Sequence, residues 1–397
     1  MITAAPADEA GIAAAVADAY AAREPLLVQG SGTKSCMLRP VQAARTLSTR
    51  NCSGITLYSP GELVFSARAG TTLAEVEATL AAAGQHMIAE PPDFSRLLGA
   101  TGEQTLGGIV ATNFSGPRRI AAGAVRDHVL GARAVNGIGE TFHSGGRVLK
   151  NVTGLDLCKL LAGSHGTLAV LTEVTFKVLP APEDSCSVVL QGLEPAAAVV
   201  ALAAAMGSPF GVSGAAHLPP AAAARLGADQ SLTLARIEDF PAGVAHRGEK
   251  LRVPLSDFGR AEIWPAETSR AAWVSIRDAH ALPADADHAI WRVSVRPSRG
   301  PTVLAAACDA GANGYLDWAG GLLMLAGPAT ENLHAAITDA VRCVGGVWLV
   351  LRAPAAWRAN AAMVSPEAPA LAAITQRVKA AFDPAGILNP GRIFVGV

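Results

Sequence analysis

The spacing of apolar positions changes several times along the chain, and each change marks a predicted element. From Glu9 to Arg23, Ile12, Val16 and Tyr20 recur at helical spacing, which predicts a helix laying one stripe on a sheet. Leu26 to Val28 is a short apolar run ending in glycines, the pattern of a strand that enters a turn. A second strand is predicted from Leu63 to Ala69. It leads into a helix with the Thr72/Glu75 capping-box spacing, a shared face of Leu73, Val76 and Leu80, and Gly84 as its left-handed stop. Thr167 to Leu179 is β-branched and partly alternating, one long strand or two in succession, and Pro180 and Pro182 close this part.

Beyond those prolines a strand is predicted near Ser187–Gln191, then a helix opened by Pro195. The clearest section lies between Ala289 and Arg352. Ile290–Val295 reads as a strand, Pro301–Asp309 as a helix, and Gly314–Trp318 with Leu322–Leu325 as a hairpin around Ala319–Gly321. A helix from Glu331 to Val344 and a strand Val347–Leu351 follow. The order βαββαβ is the split ferredoxin-like unit, an antiparallel sheet with helices on one face and the other face free to cover something. A last helix, from about Ala368 to Phe382, ends in an Asp-Pro-Ala-Gly turn. These patterns predict an α+β protein divided into residues 1–182, 183–366 and 367–397, with no repeat of fixed period.

A chain of 397 residues is long enough for the two or three cores this division implies. Composition then removes several function classes. A net charge of −1 with 16% charged residues offers no clustered Lys and Arg for displacing counterions from nucleic acid, so no nucleic-acid partner is expected. The 50% hydrophobic content is carried mainly by alanine, and the uncharged stretch from Ala196 to Ala224 is broken by Gly207, Pro209, Gly211, Gly214, Pro219 and Pro220. The start, Met1 to Gly11, carries Asp8 and Glu9 in place of a basic stretch and an apolar run, so a cytoplasmic location is expected. Six cysteines lie scattered with no C-x-x-C, which argues against zinc or an iron–sulfur cluster in this chain and for reduced thiols.

Three small-residue turns carry the candidate chemistry. The first is Leu26-Leu27-Val28-Gln29-Gly30-Ser31-Gly32-Thr33-Lys34-Ser35. A strand that delivers a Gly-x-Gly turn can aim successive backbone N–H groups into one concavity, a nest for phosphate oxygens. It is not a Walker loop, because Thr33 interrupts Gly-Lys-Ser/Thr and Pro40 follows, and it lacks the third glycine and helix of the dinucleotide fingerprint. The second turn is Thr105-Leu106-Gly107-Gly108-Ile109-Val110-Ala111-Thr112-Asn113. The third is Gly163-Ser164-His165-Gly166-Thr167-Leu168, introduced by Gly154-Leu155-Asp156-Leu157-Cys158-Lys159. Any one of them alone is a plain glycine turn. Three together suggest a long ligand lying across several strand ends, and FAD has that shape.

In order and spacing these loops resemble the FAD-binding domain of the vanillyl-alcohol oxidase and p-cresol methylhydroxylase (PCMH) family. The tail Phe382-Asp383-Pro384-Ala385-Gly386-Ile387-Leu388-Asn389-Pro390-Gly391-Arg392 resembles that family's closing signature. Three further segments resemble the smaller FAD-binding subunits of bacterial glycolate oxidases: Ser115-Gly116-Pro117-Arg118-Arg119, Gly145 to Gly154, and Tyr315-Leu316-Asp317-Trp318-Ala319-Gly320. The resemblance implies a two-lobed PCMH-type FAD-binding domain, a ferredoxin-like covering domain, and a C-terminal segment that returns to the first. It implies that Gly30, Ser31, Gly32, Thr33 and Lys34 bind the pyrophosphate. Thr105, Gly107, Gly108, Ala111 and Thr112 would line its other side, Gly163, Ser164, Gly166, Thr167 and Val170 would continue the groove, and Asn389 would approach the isoalloxazine. Members that attach FAD covalently through this loop carry histidine where this chain has Thr33, so the resemblance implies noncovalent FAD.

The metal motifs of related D-2-hydroxy acid dehydrogenases are absent, and no metal is expected. Oxidising a 2-hydroxy acid calls for a carboxylate clamp and a base. Arg118 and Arg119 follow the flavin-lining loop and are clamp candidates, or else pair with acidic residues or a partner subunit. His165 is a candidate base, or else bonds a nearby carbonyl. Asp317 and Trp318 either face the flavin or, for Trp318, fill the core. With no thiolate cluster to pass electrons onward, the resemblance implies a larger flavoprotein subunit and an iron–sulfur subunit as partners, with membrane contact only through them and slow glycolate turnover by the lone chain. The alternatives are a self-sufficient FAD oxidoreductase of another 2-hydroxy acid or alcohol, and a flavin-carrying structural subunit.

Overall fold

The structure, a computed structural model, describes residues 2–146, 155–283 and 285–394. Residues 147–154, most of the Gly145 to Gly154 segment together with the start of the lead-in at Gly154, lie outside them.

Two sheets carry most of the first half, beside a two-stranded ribbon of Gln85–His86 and Leu179–Pro180. Ile2–Ala4, Arg45–Ser48 and Leu26–Gln29 form a small parallel sheet with Arg45–Ser48 at its centre. The helix Glu9–Ala22 packs on it through Ile12, Val16 and Ala19, and Asp8 caps its start by accepting the Gly11 N–H at 2.8 Å. Tyr20 is 38% exposed, contrary to the stripe predicted for it. At about 100° per residue, position 19 returns to within roughly 20° of Ile12 while position 20 overshoots by roughly 80°, so the small Ala19 takes the inward place. The second sheet is antiparallel and five-stranded, in the order Ile55–Ser59, Val64–Arg68, Ala169–Lys177, Val129–Asn136, Thr141–Gly145. Leu73, Val76 and Leu80 of one helix and Leu106, Ile109 and Val110 of another fill the core against its Phe65, Val174 and Phe176.

One antiparallel sheet of eight strands holds the rest. The predicted unit is present as His288–Ser294, Gly300–Asp309, Asn313–Asp317, Leu322–Pro328, Glu331–Val344 and Val347–Arg352. Its spatial order is fourth, first, third, second strand. The same order recurs in Asp184–Gln191, Val212–Leu218, Leu232–Asp239 and Ala261–Trp264, with helices Pro195–Met206 and Pro241–Leu255 in the matching places. The large sheet is therefore a duplicated ferredoxin-like unit, joined edge to edge where His217 pairs with Leu316. No period in the sequence announced this.

Alternation along Asp184–Gln191 shows how the two faces are used. Cys186, Val188 and Leu190 pack with Leu202, Val244 and Leu251 of the flanking helices. Ser187 points the other way and accepts the Trp273 indole N–H at 2.8 Å, so the helix Ala266–Arg277 covers part of the opposite face. That face also meets the first half of the chain. After the helix Pro369–Phe382 the tail returns to the small sheet, where Leu388 bridges Leu26 in parallel. The turn is pinned by Lys379, whose ammonium donates to Asp383 at 2.7 Å and to the carbonyls of Thr167 and Leu388.

Candidate functional site

Glycine chemistry decides the shape of the site. A Cβ on Gly30 would lie 2.2 Å from Thr105 Oγ1, so the first and second turns approach only because that side chain is missing. The third turn runs through Gly163, His165 and Gly166, all at positive φ, and a Cβ on Gly166 would stand 2.9 Å from Asn389 Nδ2. Asn389 itself straps the turns together. Its Oδ1 accepts the Val28 N–H at 2.8 Å, while its Nδ2 donates to the carbonyls of Val28 and His165 at 3.1 and 2.9 Å.

The three turns converge on one cleft, lined largely by their own small residues. Gly30, Ser31, Gly32, Thr33 and Lys34 form one wall, Thr105, Gly107, Gly108, Ala111 and Thr112 a second, and Ser164, Gly166, Val170 and Asn389 a third. Gly163 and Thr167 do not line it, which corrects the expectation for them. The Gly163 N–H is spent on the Val110 carbonyl at 3.0 Å, and the Thr167 hydroxyl on the Ser164 carbonyl at 2.7 Å. Both hold the turn and present nothing to the cleft.

The backbone N–H groups of residues 30–34 find no acceptor among the described residues. Lys34 and Arg392 add charge. Lys34 donates to Gln104 Oε1 at 3.1 Å, and Arg392 uses its guanidinium on the carbonyls of Ser35 and Lys34 at 3.1 and 2.7 Å. Burial pushes Lys34 down to about 8 and, with Arg358 nearby, Arg392 down to about 10. Among the described residues no carboxylate lines the cleft. Free N–H donors around two uncompensated cations are the donor set for a diphosphate, so these residues could hold the pyrophosphate of FAD. Arg392, Gln29, Ser35 and Thr49 also line the cleft and were not singled out for it. Arg392 had a signal, its place at the end of the Asn-Pro-Gly-Arg tail.

The candidate catalytic residues fare differently. Arg118 is not free to clamp a substrate. Its Nε and Nη2 donate to the two oxygens of Glu238 at 3.0 and 2.7 Å, and its Nη1 meets His86 Nδ1 at 3.2 Å. Arg236 completes this buried network with a two-pronged contact to Glu90, both distances 3.0 Å. Burial works against the charge on Glu238, yet Arg236 and Arg118 hold its carboxyl at about 2. Arg119 is exposed, with its guanidinium carbon 4.3 Å from the centre of the Trp318 ring. His165 lines the cleft with its backbone N–H on the Ala111 carbonyl at 2.8 Å, and burial, with Arg392 and Lys34 nearby, drives its imidazole down to about 3. An imidazole that holds a proton so weakly is a poor general base, which favours the structural alternative for His165. Trp318 is buried and donates its indole N–H to the Gly116 carbonyl at 3.1 Å.

Comparison with known proteins agrees with this geometry. Residues 2–145 match the FAD binding domain family and residues 359–393 the C-terminal domain of FAD linked oxidases. The chain is 33% identical over 379 residues to the glycolate oxidase subunit GlcE of Escherichia coli, covering 96% of this chain and 95% of that protein. In fold it is similar to a 4-ethylphenol oxidase from Gulosibacter chungangensis, with a TM-score of 0.74, 13% identity, and 99% and 89% of the two chains covered. Substrate-bound p-cresol methylhydroxylase gives 0.73 and 13%, over 99% of this chain and 88% of that one. By its likeness along nearly its whole length to GlcE, the chain belongs to the FAD-linked oxidase family, as an FAD-dependent oxidoreductase of PCMH type.

Proposed function

We propose that the chain is the FAD-binding subunit of a glycolate oxidase complex. In that complex it works with a larger flavoprotein subunit and an iron–sulfur subunit at the cytoplasmic side of the inner membrane. Its division into an FAD-binding part (1–182), a covering part (183–366) and a returning tail (367–397) belongs to the same reading. The observation that carries it is the row of free N–H groups at residues 30–34 beside Lys34 and Arg392. The likeness to GlcE supports the rest.

Bound FAD supplies a two-electron acceptor for a carbon bearing a hydroxyl group. In this reading residues 30–34 and Lys34 hold the pyrophosphate, Thr105 and Gly107 to Thr112 close over it, and Asn389 fixes the turn that carries His165. Thr33 has no nitrogen with which to bond the cofactor, so the attachment is noncovalent. Among the described residues no helix is long and apolar enough to cross a membrane, so membrane contact in this reading runs through the partners. With Arg118 locked to Glu238 and His165 a weak base, the isolated chain turns over glycolate slowly.

The test uses the purified full chain. It should be yellow, release FAD into the supernatant on acid precipitation, and show little glycolate-dependent dye reduction until its partners are added. Colourless protein that refuses added FAD would refute cofactor binding, and brisk glycolate oxidation by the lone chain would refute the subunit role.

A further inference from the structure

We propose that Arg292 anchors the carboxylate of a small 2-hydroxy acid on the inner face of the large sheet, with Arg119 as a second cation and Trp318 and Phe114 as walls. The proposal rests on the FAD reading above and names the residue that would hold the substrate's carboxylate.

Strand alternation places the residue. Along His288–Ser294, Ala289, Trp291 and Val293 are fully buried, and Trp291 reaches the outer helices, donating to His334 Nδ1 at 3.1 Å. Arg292 therefore points to the opposite face, where the first half of the chain lies. Its guanidinium carbon is 4.9 Å from the centre of the Trp318 ring and 5.4 Å from that of Phe114. Arg119 reaches the same Trp318 ring from the loop after Asn113.

What sets Arg292 apart is that, among the described residues, no carboxylate bonds it. Arg118, Arg236 and Arg277 each rest on a carboxylate. Among the described residues Arg292 makes no ion pair and no hydrogen bond, although protein encloses it closely and burial pushes its guanidinium down to about 10. The residue as a whole still keeps some accessible surface. Asp317 stands near it and acts on its charge without bonding it, and burial raises that carboxyl to about 7 against the pull of Arg236 and Arg292. Neighbouring donors are already used: the Tyr315 hydroxyl donates to the Ile276 carbonyl at 2.6 Å, and the Trp318 indole to Gly116.

An enclosed cation without a partner is costly unless an anion completes it. A carboxylate matches the planar fork of donors. The location suits a substrate as well. Phe114 packs against Arg292 on one side and meets the His165 ring edge-on at 6.4 Å on the other, and His165 lines the cofactor cleft. One aromatic ring thus separates the anion site from that cleft.

The test is calorimetric titration of the FAD-loaded full chain with oxalate, a small carboxylate with no C–H bond to oxidise. Saturable binding is expected. Arg292→Met should weaken it about tenfold to a hundredfold, the loss of a charge-assisted pair of hydrogen bonds, while FAD affinity stays unchanged. Arg292→Lys, which keeps the charge and loses the fork, should fall between and covers the case in which the Met variant fails to fold. A yellow chain that ignores oxalate, or an Arg292→Met chain that binds it as wild type does, overturns the proposal. A chain that refuses FAD yet binds oxalate through Arg292 sinks the cofactor reading and upholds this one.

Discussion

Lys34 makes the cofactor cleft sensitive to pH in a direction that can be worked out. Burial pushes its ammonium from the ordinary 10.5 down to about 8, with only a partial counter-effect from Asp93. A docked pyrophosphate supplies two negative charges and should return the group toward its ordinary value. The free cleft then holds its proton less tightly than the loaded cleft between pH 8 and 10.5, and binding takes up a proton in that window. Affinity is full below pH 8 and falls about tenfold, or ~1.4 kcal/mol, for each unit above it. From pH 7 to pH 9.5 the dissociation constant for FAD should rise roughly thirtyfold. His165, at about 3, stays neutral throughout, and Arg392, at about 10, begins to contribute only at the upper end.

The assay is quenching of flavin fluorescence at fixed ionic strength, since surface charges respond to salt. Lys34→Met should bind more weakly at pH 7 and show almost no slope to pH 9.5. Unfolding does not confound the variant. Because the folded ammonium has the lower pKa, its charge opposes folding below pH 8, and that opposition fades as pH rises toward 10.5, so removing the charge does not weaken the empty chain at pH 7. A wild-type constant that stays flat to pH 9.5, or a slope that survives Lys34→Met, would refute the role given to this lysine.

Two further outcomes follow from buried charges near the seam. Glu90→Gln removes the two-pronged partner of the Arg236 guanidinium, only 3% exposed, and leaves it Glu238 at 3.2 Å, so it should cost about 1.5–3 kcal/mol in urea unfolding at pH 7; a change under about 1 kcal/mol would show the network to be dispensable. Asp317 is raised by burial from 3.8 to about 7, so the folded state favours its protonated form and loses stability as pH rises through that window, with the deficit complete above 7. Asp317→Asn keeps an oxygen for the Trp318 N–H and should melt higher than wild type at pH 8 by a margin that shrinks at pH 5; equal margins at both would count against the burial argument.

The glycine turns were legible because residues 30, 32 and 166 need conformations or approaches that a Cβ forbids, and such a need leaves a mark in sequence. The unit between residues 288 and 352 was legible for a different reason, since its strands are short apolar runs bounded by turn residues and its helix Glu331–Val344 is amphipathic. Its twin escaped notice. Val212–Leu218 reads Val-Ser-Gly-Ala-Ala-His-Leu inside an alanine-rich run, and small residues carry neither a period of two nor one of 3.6. Partnership across the chain was likewise out of reach. Position after the flavin loop made Arg118 look like a clamp, but the carboxylate that occupies it, Glu238, lies 120 residues on. Arg292 carried a faint mark, a charge at an alternating position of an apolar strand, which becomes informative only once the face it points to is known.

The duplicated sheet puts these charges to two different uses. The first unit presents Arg236 and Glu238 on its inner face, and both are consumed by Glu90 and Arg118 from the first half of the chain. Two positive and two negative charges cancel there, which makes that side a seam: it fixes how far the sheet stands from the cleft and leaves nothing for a ligand. The second unit presents Arg292 and Asp317 on the same face, where the opposing loop brings Phe114 and another cation, Arg119, and among the described residues no carboxylate bonds Arg292. A fold that needed the second unit only as a cover would gain stability by pairing or removing Arg292. An arginine with no bonded carboxylate among the described residues, one ring away from the cofactor cleft, fits an anion that arrives with the substrate.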